Sequence, residues 1–150
     1  GQQIIASQLA GDFLLPKDRS QKLGFIAGGI GVTPFSSHVS FMRDAGRSHD
    51  IKLFYCVNNS AELAFSDQFS NAPNSHTFEL IPVVAKESAS YPAEEGFVTK
   101  DMLKKRVPDY RDRHWYLSGP PPMVNAYDAL LRECGVKGVQ ITKDFFPGLA

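Results

Sequence analysis

The sequence predicts a doubly wound α/β domain built on a five-stranded parallel sheet in the order 3-2-1-4-5. Three observations carry this. Short apolar runs alternate with helix-periodic segments, which implies a parallel sheet covered on both faces. The first such run leads into a glycine-rich turn and then a helix start, Gly28-Gly29-Ile30-Gly31-Val32-Thr33-Pro34. A second turn of small residues, Ser118-Gly119-Pro120, follows the fourth run. The strand order follows from right-handed crossovers and a central first strand. With 150 residues, 43% hydrophobic and 21% charged, the chain is long enough for one globular core.

The first strand is Leu23-Gly24-Phe25-Ile26-Ala27. After the glycine turn, Thr33 is a candidate cap, and Pro34 suits the first helical position. Phe35, Val39 and Met42 make one apolar stripe, and Gly46 stands where that helix would stop. The second strand is Ile51 to Val57. Asn58-Asn59-Ser60 breaks it, and Ser60 is placed to cap a helix carrying Phe65 and Phe69. A third strand runs from about Thr77 to Val84. The polar stretch Lys86 to Glu95, with Pro92, reads as a loop, and Thr99 caps a short helix through Leu103. His114 to Leu117 is the fourth strand. Met123, Tyr127, Leu130, Leu131 and Cys134 form a helical stripe ended by Gly135 or Gly138, and Val139-Gln140-Ile141 is the last strand. Residues 1–20 stand outside this plan. Gln3 to Ala10 reads as a strand, Gly11 to Pro16 as its exit, and Lys17 to Gln21 as a polar linker, so 1–20 is expected to be the tail of another domain and 21–150 the α/β domain.

The formal net charge is zero, which gives no basic field for nucleic acid or an anionic membrane surface. No apolar run is long enough to span a bilayer. The start shows no signal-peptide pattern and is Gly rather than Met, so the chain is expected to be a piece of a longer protein. The two cysteines, Cys56 and Cys134, form no metal or disulfide pattern, which favours a reducing compartment, the cytoplasm or the cytoplasmic face of a membrane-attached parent. His38, His49, His76 and His114 lack ligand spacing and read as packing or surface residues, and no metal site is expected.

Three segments fall at the carboxyl edge of the predicted sheet, where open α/β sheets bind ligands. Glycines at 28, 29 and 31 let backbone N–H groups approach a pyrophosphate, helped by the following helix dipole. Their spacing is not the G-x-G-x-x-G fingerprint, and a tight turn needing positive φ would look the same. The prolines of Ser118-Gly119-Pro120-Pro121-Pro122-Met123 stiffen a wall suited to a flat ring, or simply a helix start. Asp144-Phe145-Phe146, after the last strand, offers two aromatics to cover a planar group or to plug the core.

Together, Gly28 to Pro34, Ser118 to Met123 and Asp144 to Leu149 resemble the ferredoxin–NADP reductase superfamily, with its G-G-x-G-x-T-P turn, C-G-P-x-x-M-type turn and aromatic near the end. The resemblance covers essentially the whole chain, and Gly11 to Pro16 is similar to the last strand of that family's flavin-binding barrel. It implies a Rossmann-like NAD(P)H-binding module that presents the nicotinamide to FAD or FMN held by a neighbouring domain. Hydride would pass to the flavin, and electrons onward to an acceptor such as an iron–sulfur domain or protein. The cofactor-binding set it implies is Gly28, Gly29, Ile30, Gly31, Thr33 and Pro34 around the pyrophosphate and nicotinamide, with Asn58 and Asn59 by the adenosine ribose. Ser118, Gly119, Pro120 and Met123 belong at the nicotinamide end, and Asp144, Phe145 and Phe146 near the flavin. No catalytic acid–base residue is required, because orientation and water exclusion are the protein's share.

The sequence departs from the family pattern in places. Ser118 replaces the usual cysteine, Asn58 stands where an arginine often follows the second strand, Leu149 replaces a terminal ring, and the barrel's Arg-x-Tyr-Ser-type flavin motif is absent with the barrel. These departures keep a non-catalytic nucleotide-binding or interaction domain as the rival reading. A receiver-type domain fits less well, because Leu23 to Ala27 has no acidic cluster. Asn58-Asn59-Ser60-Ala61-Glu62 has no cation for a 2′-phosphate, so NADH is favoured over NADPH.

Overall fold

The computed structural model describes residues 13–70, 72, 77–86 and 92–146. Its sheet has six parallel strands: β1 (Leu23–Gly28), β2 (Ile51–Val57), β3 (Phe78–Val84), β4 (Glu94–Glu95), β5 (His114–Gly119) and β6 (Ile141–Phe145), in the order β4-β3-β2-β1-β5-β6. The expected order is therefore present, extended by one edge strand. β1 lies at the centre and is buried along its whole length, which is why it reads as an unbroken apolar run. Alternate β1 residues serve opposite cores. Leu23, Phe25 and Ala27 pack with Phe35, Val39 and Met42 of α1 (Thr33–Asp44) and Phe69 of α2 (Ser66–Ser70). Ile26 packs with Met102 and Leu103 of α3 (Lys100–Arg106) and with Val124, Tyr127 and Leu131 of α4 (Pro121–Glu133).

Four expectations need correction. The sheet has six strands rather than five because β4 forms inside the stretch expected to be a loop, pairing Val83 with Glu94 and Val84 with Glu95. Two glutamates have no period for a pattern to reveal. The last strand is β6, not Val139 to Ile141. Gly138–Gln140 is a 3-10 turn with Val139 86% exposed, held because the Gln140 side chain accepts from the Lys137 N–H and donates to the carbonyls of Arg111 and Arg113. Ser60 begins a 3-10 turn, Ser60–Glu62, whose cap is Asn59, and the helix starts only at Ser66. Between them Phe65 adopts φ +59, a left-handed conformation that breaks the helix. Thr33 is the first residue of α1 rather than its cap, and its hydroxyl donates to the Ile30 carbonyl. Pro34 lies in the first turn, and Thr99 caps α3 by accepting from the Met102 N–H at 3.1 Å, both as expected. Gln3 to Ala10 and Pro147 to Leu149 lie outside the described residues.

The amino edge of the sheet is pinned by one arginine. Arg113, only 2% exposed, donates to the Leu23 carbonyl at 3.0 Å, to Asp50 Oδ1 at 2.8 Å and to both carboxylate oxygens of Asp109. Lys22 adds a second cation to Asp109 at 2.8 Å. Burial alone would raise the Asp109 pKa, but the hydrogen bonds from Arg113 and Lys22 hold it down to about 2. A carboxyl so depressed contributes stability above its ordinary pKa of about 4, and that contribution is lost as pH falls from there through about 2. Asp109→Asn should therefore lower stability by about 2 kcal/mol at neutral pH. Its denaturation midpoint should also fall less than that of the parent chain between about pH 4 and 2, as chemical denaturation across pH would show.

Candidate functional site

The site is built where β1 and β5 end side by side. β1 passes into a 3-10 turn, Gly29–Val32, which feeds α1 directly. No side chain caps α1 and no acidic residue lies in its first turn, so the positive end of its dipole is left to face an anion, although the Thr33 N–H is taken by the Ile30 carbonyl. Gly29 has φ +52 and nothing within 4 Å of the position a Cβ would take, so this turn presents bare backbone to open space.

The other turn glycines do a different job. A Cβ on Gly31 would lie 2.3 Å from the Ser118 carbonyl oxygen, and one on Gly28 would lie 2.2 Å from the Met123 sulfur. At Gly119 a Cβ would meet Met123 Cε at 2.7 Å and the Gly28 nitrogen at 3.2 Å. These three glycines let the turns after β1 and β5 touch. For Gly31 this changes the expectation: its side-chain space is filled by β5, and its backbone lies inside the 3-10 turn.

Exposed Ile30, at 72%, divides two clefts that share Gly29, Ile30 and Glu62. The first, about 250 Å³, brings together Gly28, Asn58, Pro120, Met123 and Phe146 of the expected set. The second, about 390 Å³, includes Thr33 along with Tyr55 and Phe65. Gly31, Pro34, Asn59, Ser118, Gly119, Asp144 and Phe145 line neither. Asp144 and Phe145 belong to β6 itself, opposite Ser118 and Gly119, rather than following the last strand. Phe146 is tied next to them, its N–H donating to the Gly119 carbonyl at 3.0 Å.

Sequence reasoning missed part of the lining. Phe97, 71% exposed, stands on the wall of the first cleft after Gly96, whose φ is +85. A single aromatic in a polar loop has no periodicity to betray it. Glu62 was legible only as a charge near the site. Its carboxylate accepts from the Asn58 N–H at 3.1 Å and from Asn59 Nδ2 at 2.7 Å, which fixes it at the junction of the clefts. Asn59 in turn accepts from the Ala61 N–H, and Tyr55 donates to the Glu62 carbonyl and accepts from the Ala64 N–H.

The first cleft also reaches Cys56 and Tyr127, whose Sγ and Oη lie 3.7 Å apart. Burial pushes the Cys56 thiol up to about 12 and raises Tyr127 as well, so both are neutral at physiological pH. Ser118 is fully buried, and its Oγ has no hydrogen-bond partner. No lysine or arginine among the described residues lines either cleft. Among the described residues, no group of three or more His, Cys, Asp or Glu could hold a metal, and no helix is long and apolar enough to cross a membrane.

Comparison with known proteins points the same way. Residues 25–129 match the model of the family described as oxidoreductase NAD-binding domain. The chain is 27% identical over 147 residues to the anthranilate 1,2-dioxygenase electron transfer component of Acinetobacter baylyi, covering 97% of this chain and 42% of that protein. It is 29% identical over 153 residues to a flavohemoprotein of Rhodopirellula baltica, covering 97% of this chain and 37% of the relative. It thus spans about two-fifths of the length of these relatives. The FAD/NAD-binding domain of nitric oxide dioxygenase from Vibrio cholerae superposes with a TM-score of 0.78 at 22% identity, over 92% of this chain and 56% of that one, which shows a shared fold.

The two kinds of glycine should separate by mutation. Gly31→Val, pressed against the β5 backbone, should cost about 1–3 kcal/mol or more in denaturation experiments. Gly29→Ala should cost only the left-handed penalty of about 1–2 kcal/mol and leave the fold intact by circular dichroism.

Proposed function

The chain belongs to the oxidoreductase NAD-binding domain family of ferredoxin-reductase-type electron-transfer proteins, and from that premise we propose that it binds NAD(P)H, NADH in preference, and orients the nicotinamide towards a flavin. The flavin, FAD or FMN, is held by a neighbouring domain of the same full-length protein, which works in the cytoplasm or at the cytoplasmic face of a membrane. The observation that carries this is the open, left-handed Gly29 turn running into an uncapped α1 beside a cleft walled by Ile30, Met123 and Phe97.

The residues fit a dinucleotide in kind. Backbone N–H groups of Gly29 and Ile30 and the α1 dipole hold the pyrophosphate. Phe97 and Met123 offer flat and polarizable faces to a ring. Asn58 and Glu62 offer hydrogen-bonding groups to ribose hydroxyls. Gly28, Pro120 and Met123 form the nicotinamide end, with Ser118 buried behind them. Phe146 shields that end from water. Gly31, Pro34, Gly119, Asp144 and Phe145 act from behind, by shaping the turns. A dinucleotide held here would supply hydride chemistry to a flavin, and through it electrons to an acceptor such as an iron–sulfur domain. Cys56 and Tyr127, both protonated, transfer no proton in this reaction, and none is needed.

Anaerobic addition of NADH to the flavin-loaded full-length protein should bleach the flavin. Gly29→Val should weaken nucleotide binding about tenfold or more, about 1.4 kcal/mol, in a folded protein. A flavin-loaded protein that neither nucleotide bleaches would instead make the chain a nucleotide-binding or interaction domain.

Cofactor choice turns on Glu62. Its carboxylate, fixed by Asn58 and Asn59 with no cation lining either cleft, accepts from a ribose hydroxyl but repels a 2′-phosphate. Steady-state kinetics should give a higher kcat/KM for NADH. Glu62→Gln should shift the ratio towards NADPH by about tenfold, and an unchanged ratio would remove Glu62 from this role.

A further inference from the structure

Phe97 is the outward residue of a short strap, residues 94–98, whose backbone is fixed on both sides of it. Before it, β4 pairs with Val83 and Val84, and the Gly96 N–H donates to the Val84 carbonyl at 2.9 Å. Gly96 turns there with φ +85, and nothing lies within 4 Å of the position its Cβ would take. After it, Val98 is buried and packs in the same core as Tyr127, and Thr99 caps α3. A single exposed phenylalanine on a surface is ordinary. This one stands on a cleft wall, and side chains from two helices hold the strap that carries it.

The first is Tyr127 of α4. Its hydroxyl accepts from the Val98 N–H at 3.4 Å and lies 3.7 Å from Cys56 Sγ of β2. The tyrosine is buried, so one oxygen links the strap to the sheet beneath it. Phenylalanine at this position would leave the Val98 N–H without that acceptor, and a buried donor left so is costly. The second is Arg106, the last residue of α3, which donates to Glu94 Oε1 at 3.1 Å and to Glu79 Oε1 at 2.6 Å. Lys52 of β2 donates to the other Glu79 oxygen at 2.8 Å, so Glu94 is tied through Arg106 and Glu79 to the sheet.

Position says what the strap faces. Along the carboxyl edge the strands run β5, β1, β2, β3, β4. On the function proposed above, the turn after β5 meets the nicotinamide, the Gly29 turn after β1 the pyrophosphate, and Asn58 and Glu62 after β2 a ribose. The group that comes next along this edge is the adenine, and Phe97, after β4, is the flat side chain on that side of the first cleft. We propose that Tyr127 and Arg106 are positioning residues for the adenine end of the dinucleotide, acting through Phe97 by fixing the strap on either side of it. This rests on the function proposed above. Tyr127 has the larger part, because its oxygen holds the residue next to Phe97, whereas Arg106 acts three residues away.

The test uses the full-length, flavin-loaded protein and ADP-ribose, which carries the base, ribose and pyrophosphate but no nicotinamide and so does not reduce the flavin. In titration calorimetry, Tyr127→Phe should raise Kd about fivefold and Arg106→Met about threefold. In a Phe97→Ala background, Tyr127→Phe should change Kd by less than about twofold, since the strap then has no ring to place. A merely structural tyrosine would weaken both backgrounds alike. Amide exchange at Val98 in the ligand-free protein should quicken in Tyr127→Phe. Kd within about twofold of the parent in both single variants, or an equal loss with and without Phe97, would overturn the assignment. Should Tyr127→Phe not fold, Arg106→Met decides through the same cycle. A parent that does not bind ADP-ribose sinks the proposed function and this assignment with it, whereas a parent that binds no better than its variants sinks this assignment alone.

Discussion

The site depends on how closely two backbones approach. β1 and β5 are neighbours, and the turns that leave them touch through Gly28, Gly31 and Gly119, where any side chain would strike Met123 or the Ser118 carbonyl. Interiors are close-packed, so a contact of this kind admits no larger residue without moving a strand end. Everything near it follows. α1 starts where the turn directs it, Met123 closes over the two turns, and Ile30 is left outside as the ridge between the clefts. Only Gly29 escapes the packing, and its freedom is conformational.

That division explains what could be read in the residues and what could not. Strand order was legible because β1, β2 and β5 are buried and rich in β-branched and aromatic residues, and α1 and α4 carry clean apolar stripes. β4 was invisible because two residues carry no period, and the shift of the last strand arose from side-chain hydrogen bonds of Gln140 across 27 and 29 residues of sequence. The three glycines of the first turn look alike on paper. Their separate roles depend on β5, about ninety residues further on, and no local pattern encodes that. Phe97 was overlooked, and Glu62 was legible only as a charge near the site, for the same reason, since each gains its place from a loop conformation rather than from a motif.

The electrostatic plan is polarised along the strands. At the amino edge, buried Arg113 gathers the half-buried Asp50 and Asp109 and the Leu23 carbonyl into one knot. At the carboxyl edge the clefts hold neutral side chains, one fixed carboxylate and backbone dipoles. Strong charges thus serve cohesion at one end, while the other end is left polarisable and uncommitted, which suits a ligand that brings its own negative charge.

The two-residue β4 has a consequence for life in a crowded solution. Exposed sheet edges template pairing with other chains, and long apolar edges do so most readily. Here the edge beyond β3 is finished by a strand of two glutamates, with Glu94 held by Arg106 at 3.1 Å. The two-residue β4 itself offers a neighbouring molecule almost no ladder to extend, and beside it Pro82 of β3 has no N–H to donate. The end of this edge at Val83 and Val84 is thereby guarded against growing from one molecule into the next.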